Sequence, residues 1–275
     1  MGLMTIIVVI LSCLISAGRS GAQESPSKPA APEQMIPPVC ADVEAVLQKI
    51  QEAAKELRAY QCRIDYVLRQ PLLESKTRRT GRVDYLRKPT GSHLRVSFET
   101  LQQDDQGPQP YIEQFLFDGV WLTHVDYQVK AVKKRQMADP NKPMDAFDLA
   151  GKGLPIVGFS GINELRRDFD IQVVQNRAGQ PADKIISLSL KARPGSHYGQ
   201  DYRTIVFAVD KSVWLPAKVE AESTEGDIYD ISFVQAKVNP PIEDVVFDLK
   251  IPKEFGEPEI IPLEAGKGSV QPHVP

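Results

Sequence analysis

Few residues of this 275-residue chain stand where chemistry would need them. His93, His124 and His197 are scattered, and none lies in metal-ligand spacing with a cysteine or another histidine. His124 and Asp126 are two residues apart and would share one face of a strand. An imidazole and a carboxylate so placed could move a proton or hold a metal, but the spacing equally describes a surface or rim pair, which is the reading adopted. Ser160 lies in Gly158-Phe159-Ser160-Gly161, short of the full Gly-x-Ser-x-Gly elbow. Phosphate-binding loops and dinucleotide fingerprints are absent from the sequence. The expectation is a binder and not an enzyme, with no catalytic residue, no metal and no cofactor.

The cysteines give a geometric argument. A helix over residues 42–58 would be about 25 Å long at 1.5 Å per residue. Cys40 precedes it and Cys62 follows it. A disulfide needs Cα atoms within about 7 Å, and four residues past the helix cannot bring the chain back. No Cys40–Cys62 bond is expected.

That helix is legible from its pattern. Asp42 is placed to cap it, with Glu44 in the first turn. Val43, Val46, Leu47, Ile50, Ala54 and Leu57 recur at helical spacing. Strands follow. Cys62, Ile64, Tyr66 and Leu68 alternate with polar residues until Pro71. Gly81, Val83 and Tyr85 share one parity within 79–87, as do Leu94, Val96 and Phe98. Residues 113–117 and 121–127 flank Asp118-Gly119, a hairpin signal. Further strands are expected at 170–175, 184–191, 202–209, 215–222 and 228–237, with a short one at Val245 to Leu249. Ten or eleven strands joined mostly by short connections imply antiparallel neighbours. The expected class is mainly β with α: a curved antiparallel sheet with a helix on its concave side, or a barrel.

The ends read differently from the middle. Residues 1–22 resemble an export signal, with an apolar run from Met4 to Ile15 and small residues at Ser20 and Ala22. Cleavage before Gln23 is expected; lipidation at Cys13 and an uncleaved anchor are the rival readings. Residues 23–41 are expected to form a Pro-rich linker, 42–255 the folded domain, and 256–275 a polar, disordered tail. An exported, periplasmic or envelope-associated protein follows. The net charge of −3 argues against nucleic acid as a partner. Lys130, Lys133, Lys134 and Arg135, and Arg78, Arg79 and Arg82, form local basic runs. These read as solvated strand ends, or as contacts to anionic lipid headgroups.

In order, these pieces resemble the LolA-like outer-membrane lipoprotein carriers. The likeness rests on the helix leading into Tyr60 to Leu68, on Gly81-Arg82-Val83-Asp84-Tyr85-Leu86-Arg87-Lys88-Pro89 before Leu94-Arg95-Val96, on Phe117-Asp118-Gly119-Val120-Trp121, and on the ending from Asn239 to Pro252. It covers about residues 42–255. The resemblance implies an unclosed antiparallel half-barrel whose apolar concave face holds acyl chains under a lid. Val83, Tyr85, Leu94, Val96, Phe98, Phe115, Phe117 and Trp121 would line the groove, with Leu47 and Ile50 from the helix. The Pro- and Gly-containing stretch 138–160 would supply the lid through Leu154, Ile156 and Phe159, or else a plug that completes the core. Lys88 takes the place of the family's arginine before the turn proline, so Arg87 and Lys88 would form the lid latch. The expected function is non-catalytic binding and shuttling of lipoprotein or lipid acyl chains by a monomer, with inner- and outer-membrane envelope partners. The alternative is a lipid-sensing or structural module with a filled interior.

Overall fold

The structure is a computed structural model that describes residues 42–89, 91–146, 149, 162–175, 181 and 183–263. The signal and linker expected from the sequence lie outside these residues, as do residues 264–275 of the expected tail, Cys40 and the lid residues Leu154, Ile156 and Phe159; the start of the expected tail is described and carries a short strand at Glu259–Ile261.

Twelve strands form one open sheet in the order β12-β6-β5-β4-β3-β2-β1-β11-β10-β9-β8-β7. They are β1 (Ala59–Gln70), β2 (Ser75–Lys88), β3 (Gly91–Gln103), β4 (Gln109–Phe117), β5 (Trp121–Asp126), β6 (Ala131–Gln136), β7 (Phe169–Val174), β8 (Ile185–Ala192), β9 (Tyr202–Asp210), β10 (Leu215–Ser223), β11 (Ile228–Val238) and β12 (Glu259–Ile261). Its edges, β12 and β7, do not pair with each other, so the sheet is not closed into a barrel. Among the described residues the α-helices are α1 (Val43–Glu56) and α2 (Ile162–Asp168). The alternating sequence called for this mostly-β, antiparallel architecture and left a curved sheet or a barrel open; the unclosed form is the one that the family resemblance implied.

The chain divides into two compact units. The first joins residues up to Lys55 with Phe147–Asp230. Here α1 begins where expected, because Asp42 Oδ1 accepts the Glu44 N–H at 2.9 Å. Val46, Leu47 and Ile50 are its buried stripe. The Lys49 ammonium lies 4.5 Å from the Trp214 ring centroid, and Arg166 of α2 pairs with Glu44. The core of this unit includes Phe169, Leu188, Leu190, Ile205, Phe207, Val209 and Val219.

The second unit spans Glu56–Ala146 and Ile231–Pro275. Strands β1 to β6 form an antiparallel meander. Asn239, just past β11, fastens its start: its Oδ1 accepts the N–H groups of Arg58 at 2.7 Å and Ala59 at 3.1 Å. Asp118 turns the β4–β5 hairpin by accepting from Val120 and Trp121 at 2.9 and 2.7 Å.

The C-terminal stretch departs from expectation. Val245 to Leu249 is not a strand: Asp244–Phe247 is a 3-10 turn. Its bonds are local, from Val246 N–H to Glu243 O and from Asp248 N–H to Val245 O. It docks by side chain instead of by ladder. Phe247 is buried and meets the His93 ring edge-on at 5.4 Å, and Arg95 donates to Val246 O at 2.5 Å. The short β12 then pairs with β6 in parallel, an exception to the antiparallel rule.

Candidate functional site

The register of β1 to β5 arranges one face of the second unit into three cross-strand rows. The first runs Tyr60, Tyr85, Leu94, Phe117, Leu122; the second Cys62, Val83, Val96, Phe115, His124; the third Ile64, Gly81, Phe98, Glu113, Asp126. Side chains alternate across a strand, so each row projects from the same side of the sheet. Seven of the groove residues expected from sequence, Val83, Tyr85, Leu94, Val96, Phe98, Phe115 and Phe117, lie together in these rows. Trp121 does not: it sits one position before Leu122, on the opposite parity, with the Lys134 ammonium 6.0 Å from its ring centroid. Leu47 and Ile50 belong to α1, in the first unit.

The rows are apolar and aromatic across most of their width. Rings follow one another from Tyr66 to Phe98 at 6.2 Å, Phe98 to Phe115 at 6.4 Å and Phe115 to the stacked His124 imidazole at 4.4 Å. Gly81 makes room in the third row. A Cβ there would stand 2.0 Å from the Ser97 carbonyl oxygen, at a register shift between β2 and β3. The face is covered, with Phe117 at 0%, Tyr85 at 2% and Val96 at 5% exposure. Burial also pushes the Cys62 thiol up to about 12, so it is an inert apolar side chain at neutral pH; it is free, not disulfide-bonded.

One edge of the face is tied down by polar contacts. The Tyr85 hydroxyl, raised well above its ordinary range by burial and next by the Asp145 charge, donates to Asp145 Oδ2 at 3.1 Å. Arg87 Nε reaches the same oxygen at 3.3 Å. Ala146 N–H donates to the buried Ser92 hydroxyl at 2.6 Å, and Met144 N–H to Gly119 O at 2.9 Å. These four contacts fasten the beginning of the 138–160 insertion across the loop end of β2 to β5. Of the two residues expected as a latch, Arg87 therefore meets the insertion, whereas Lys88 pairs with Asp244 of the C-terminal segment at 2.9 Å.

The opposite end of the face carries charge. His124 is not the surface or rim residue expected from sequence; it is 8% exposed, with Nε2 2.9 Å from Glu113 Oε1. Glu113 is fully buried. Its Oε2 lies 3.7 Å from Arg79 Nη1, an ion pair too long for a hydrogen bond. Arg79 itself is buried and lies over the Tyr111 ring at 5.2 Å. Burial, then the Glu113 charge, raises the Tyr111 hydroxyl well above its ordinary value. Arg79, read from the sequence as part of a solvated basic run, is instead buried; its link to this cluster, and Glu113 altogether, escaped sequence reading because each comes from a different strand from His124. The available signal was charge on the inward parity of β2 and β4, where apolar residues were expected.

No protein-family model matches the chain, and no curated protein matches it. Solved structures do. A conserved protein from Thermus thermophilus aligns at 10% identity over 80% of this chain and 98% of its own, with a TM-score of 0.47. The MucA/MucB complex of Pseudomonas aeruginosa aligns at 14% identity over 76% of this chain and 61% of that one, with a TM-score of 0.41. A LolA superfamily protein from Nitrosomonas europaea aligns at 14% identity over 76% and 99%, with a TM-score of 0.32. The LolA superfamily, which the sequence resembles, is named among these solved structures, all of them below 25% identity and below a TM-score of 0.5.

Proposed function

We propose that this protein binds acyl chains of lipids or lipoproteins on the three-row face of its second unit and shuttles them within the cell envelope, without a chemical step. The observation that supports this reading is the unbroken apolar and aromatic surface from Cys62 through Val83 and Val96 to Phe115, flanked by polar groups at both ends. An acyl chain loses about 0.8 kcal/mol per CH₂ on entering water. A 16-carbon chain thus faces a cost of order 12 kcal/mol, and a carrier needs only a large apolar face with a movable cover. A face of this kind left open would aggregate, so an unloaded carrier keeps it covered. The contacts of Tyr85 and Arg87 with Asp145, and of Ser92 with Ala146, hold the start of that cover in this reading.

A second reading is favoured by one observation: the face is already buried, with Phe117 at 0% exposure. A structural or lipid-sensing module filled by its own side chains would look the same. Displacement of a fluorescent fatty acid separates the two. The carrier takes up the probe and releases it to unlabelled fatty acid, and Val96→Asp abolishes uptake while circular dichroism still reports a folded sheet. A folded wild-type protein that refuses the probe would establish the filled module instead.

A further inference from the structure

The charged cluster at the end of the face has a geometry that ion pairing alone does not explain. Glu113 and Asp126 are direct cross-strand partners, and His124 precedes Asp126 by two residues on the same side of β5. One ligand atom from each of the three lies within 4.8 Å of the others. Burying an ionised carboxylate is costly unless every oxygen is compensated. Glu113 is fully buried, and although the Tyr111 hydroxyl lies beside its carboxylate, no well-formed hydrogen bond reaches Oε2. Arg79, whose Nε and Nη1 are likewise without one, stops 3.7 Å short of it.

We propose that Glu113, His124 and Asp126 form a binding site for a divalent cation of the Zn²⁺ class. Two carboxylates and one imidazole on adjacent antiparallel strands make a three-ligand set with its remaining position open to water. The imidazole selects a first-row transition metal over Mg²⁺ or Ca²⁺, and among the common ones Zn²⁺ binds more tightly than Mn²⁺. The two carboxylate charges neutralise the ion. Asp126 is only half buried and gives the ion its way in, whereas Glu113 and His124 are closed off. Asp126 is also pre-set: its Oδ1 accepts the Gln128 N–H at 2.8 Å and the Val129 N–H at 3.3 Å, which leaves Oδ2 for the metal. His124 is held flat against Phe115. Two other cations face the cluster. The Arg79 charge is shared with the Tyr111 ring, and Lys133, opposite His124 in β6, is exposed and paired with Glu259 at 3.2 Å. The site makes no use of acyl cargo.

The test is Zn²⁺ titration of the full chain, stripped of metal by a chelator, with a competing colorimetric indicator, followed by Co²⁺ substitution. Wild type takes up one Zn²⁺, and Co²⁺ gives visible absorption bands shaped by mixed oxygen and nitrogen ligands. Loss of even an outer partner of a metal ligand weakens binding by roughly 10–100-fold. Asp126→Asn, which keeps the turn-capping oxygen and so the fold, is therefore expected to weaken Zn²⁺ binding by at least about tenfold, and Glu113→Gln by more. No uptake by the wild type, or uptake left unchanged by Asp126→Asn, overturns the assignment, the latter placing the ion elsewhere on the chain. Neither result bears on whether the fatty-acid probe binds.

Discussion

At the scale of single residues, the buried and half-buried polar groups decide how the second unit responds to its surroundings. His93 is one. Burial, and next the Lys88 charge, lower its pKa below the ordinary 6.5. The sign follows from linkage. As pH falls through 6.5 the unfolded chain takes a proton that the folded chain resists, so stability is lost on the acid side; above about pH 7 the ring is neutral in both states and contributes nothing. The Phe247 ring packs on this imidazole, so the loss falls on the C-terminal segment. His93→Gln is expected to remove part of the decline in stability between pH 7.5 and 5.5. Urea unfolding at the two pH values checks this, and an equal decline in both proteins would contradict it. The cluster of Glu113, His124 and Arg79 shows why residue-level chemistry was only half legible. The sequence places His124 beside Asp126, two residues apart. Glu113 reaches His124 only through the β4–β5 register, and Arg79 reaches Glu113 across β3.

At the scale of elements, alternation carried most of the information. The parity of Val83, Tyr85, Leu94, Val96 and Phe98 is a period-two signal, and the Asp118-Gly119 turn fixes how β4 meets β5. Trp121 fell on the other parity because that turn delivers Leu122 opposite Phe117. The Val245 to Leu249 stretch, an apolar run broken only by Asp248, reads as a short strand, yet Asp244–Phe247 becomes a turn, since side-chain docking of Phe247 outweighs a ladder. Gly81 is the element-level weak point. Its missing Cβ lets β2 and β3 approach across the shift in register, so Gly81→Ala forces the Ser97 carbonyl aside. Overpacking of this kind costs about 1–3 kcal/mol, and chemical denaturation should show a loss of at least that size. A neutral result would mean that the two strands can part there without penalty.

At the scale of the whole molecule, the described residues build one open sheet of twelve strands, and the proposed acyl binding uses the face that β1 to β5 present. None of the described helices is long and apolar enough to cross a membrane. Whether the protein carries acyl cargo is read by native mass spectrometry of residues 23–275 purified from the envelope of the producing cell, with lipid extraction of any bound mass. A carrier brings with it a co-purifying acylated species that a fluorescent fatty acid displaces. A protein that arrives empty, and stays empty when offered the probe, would contradict the proposed acyl binding.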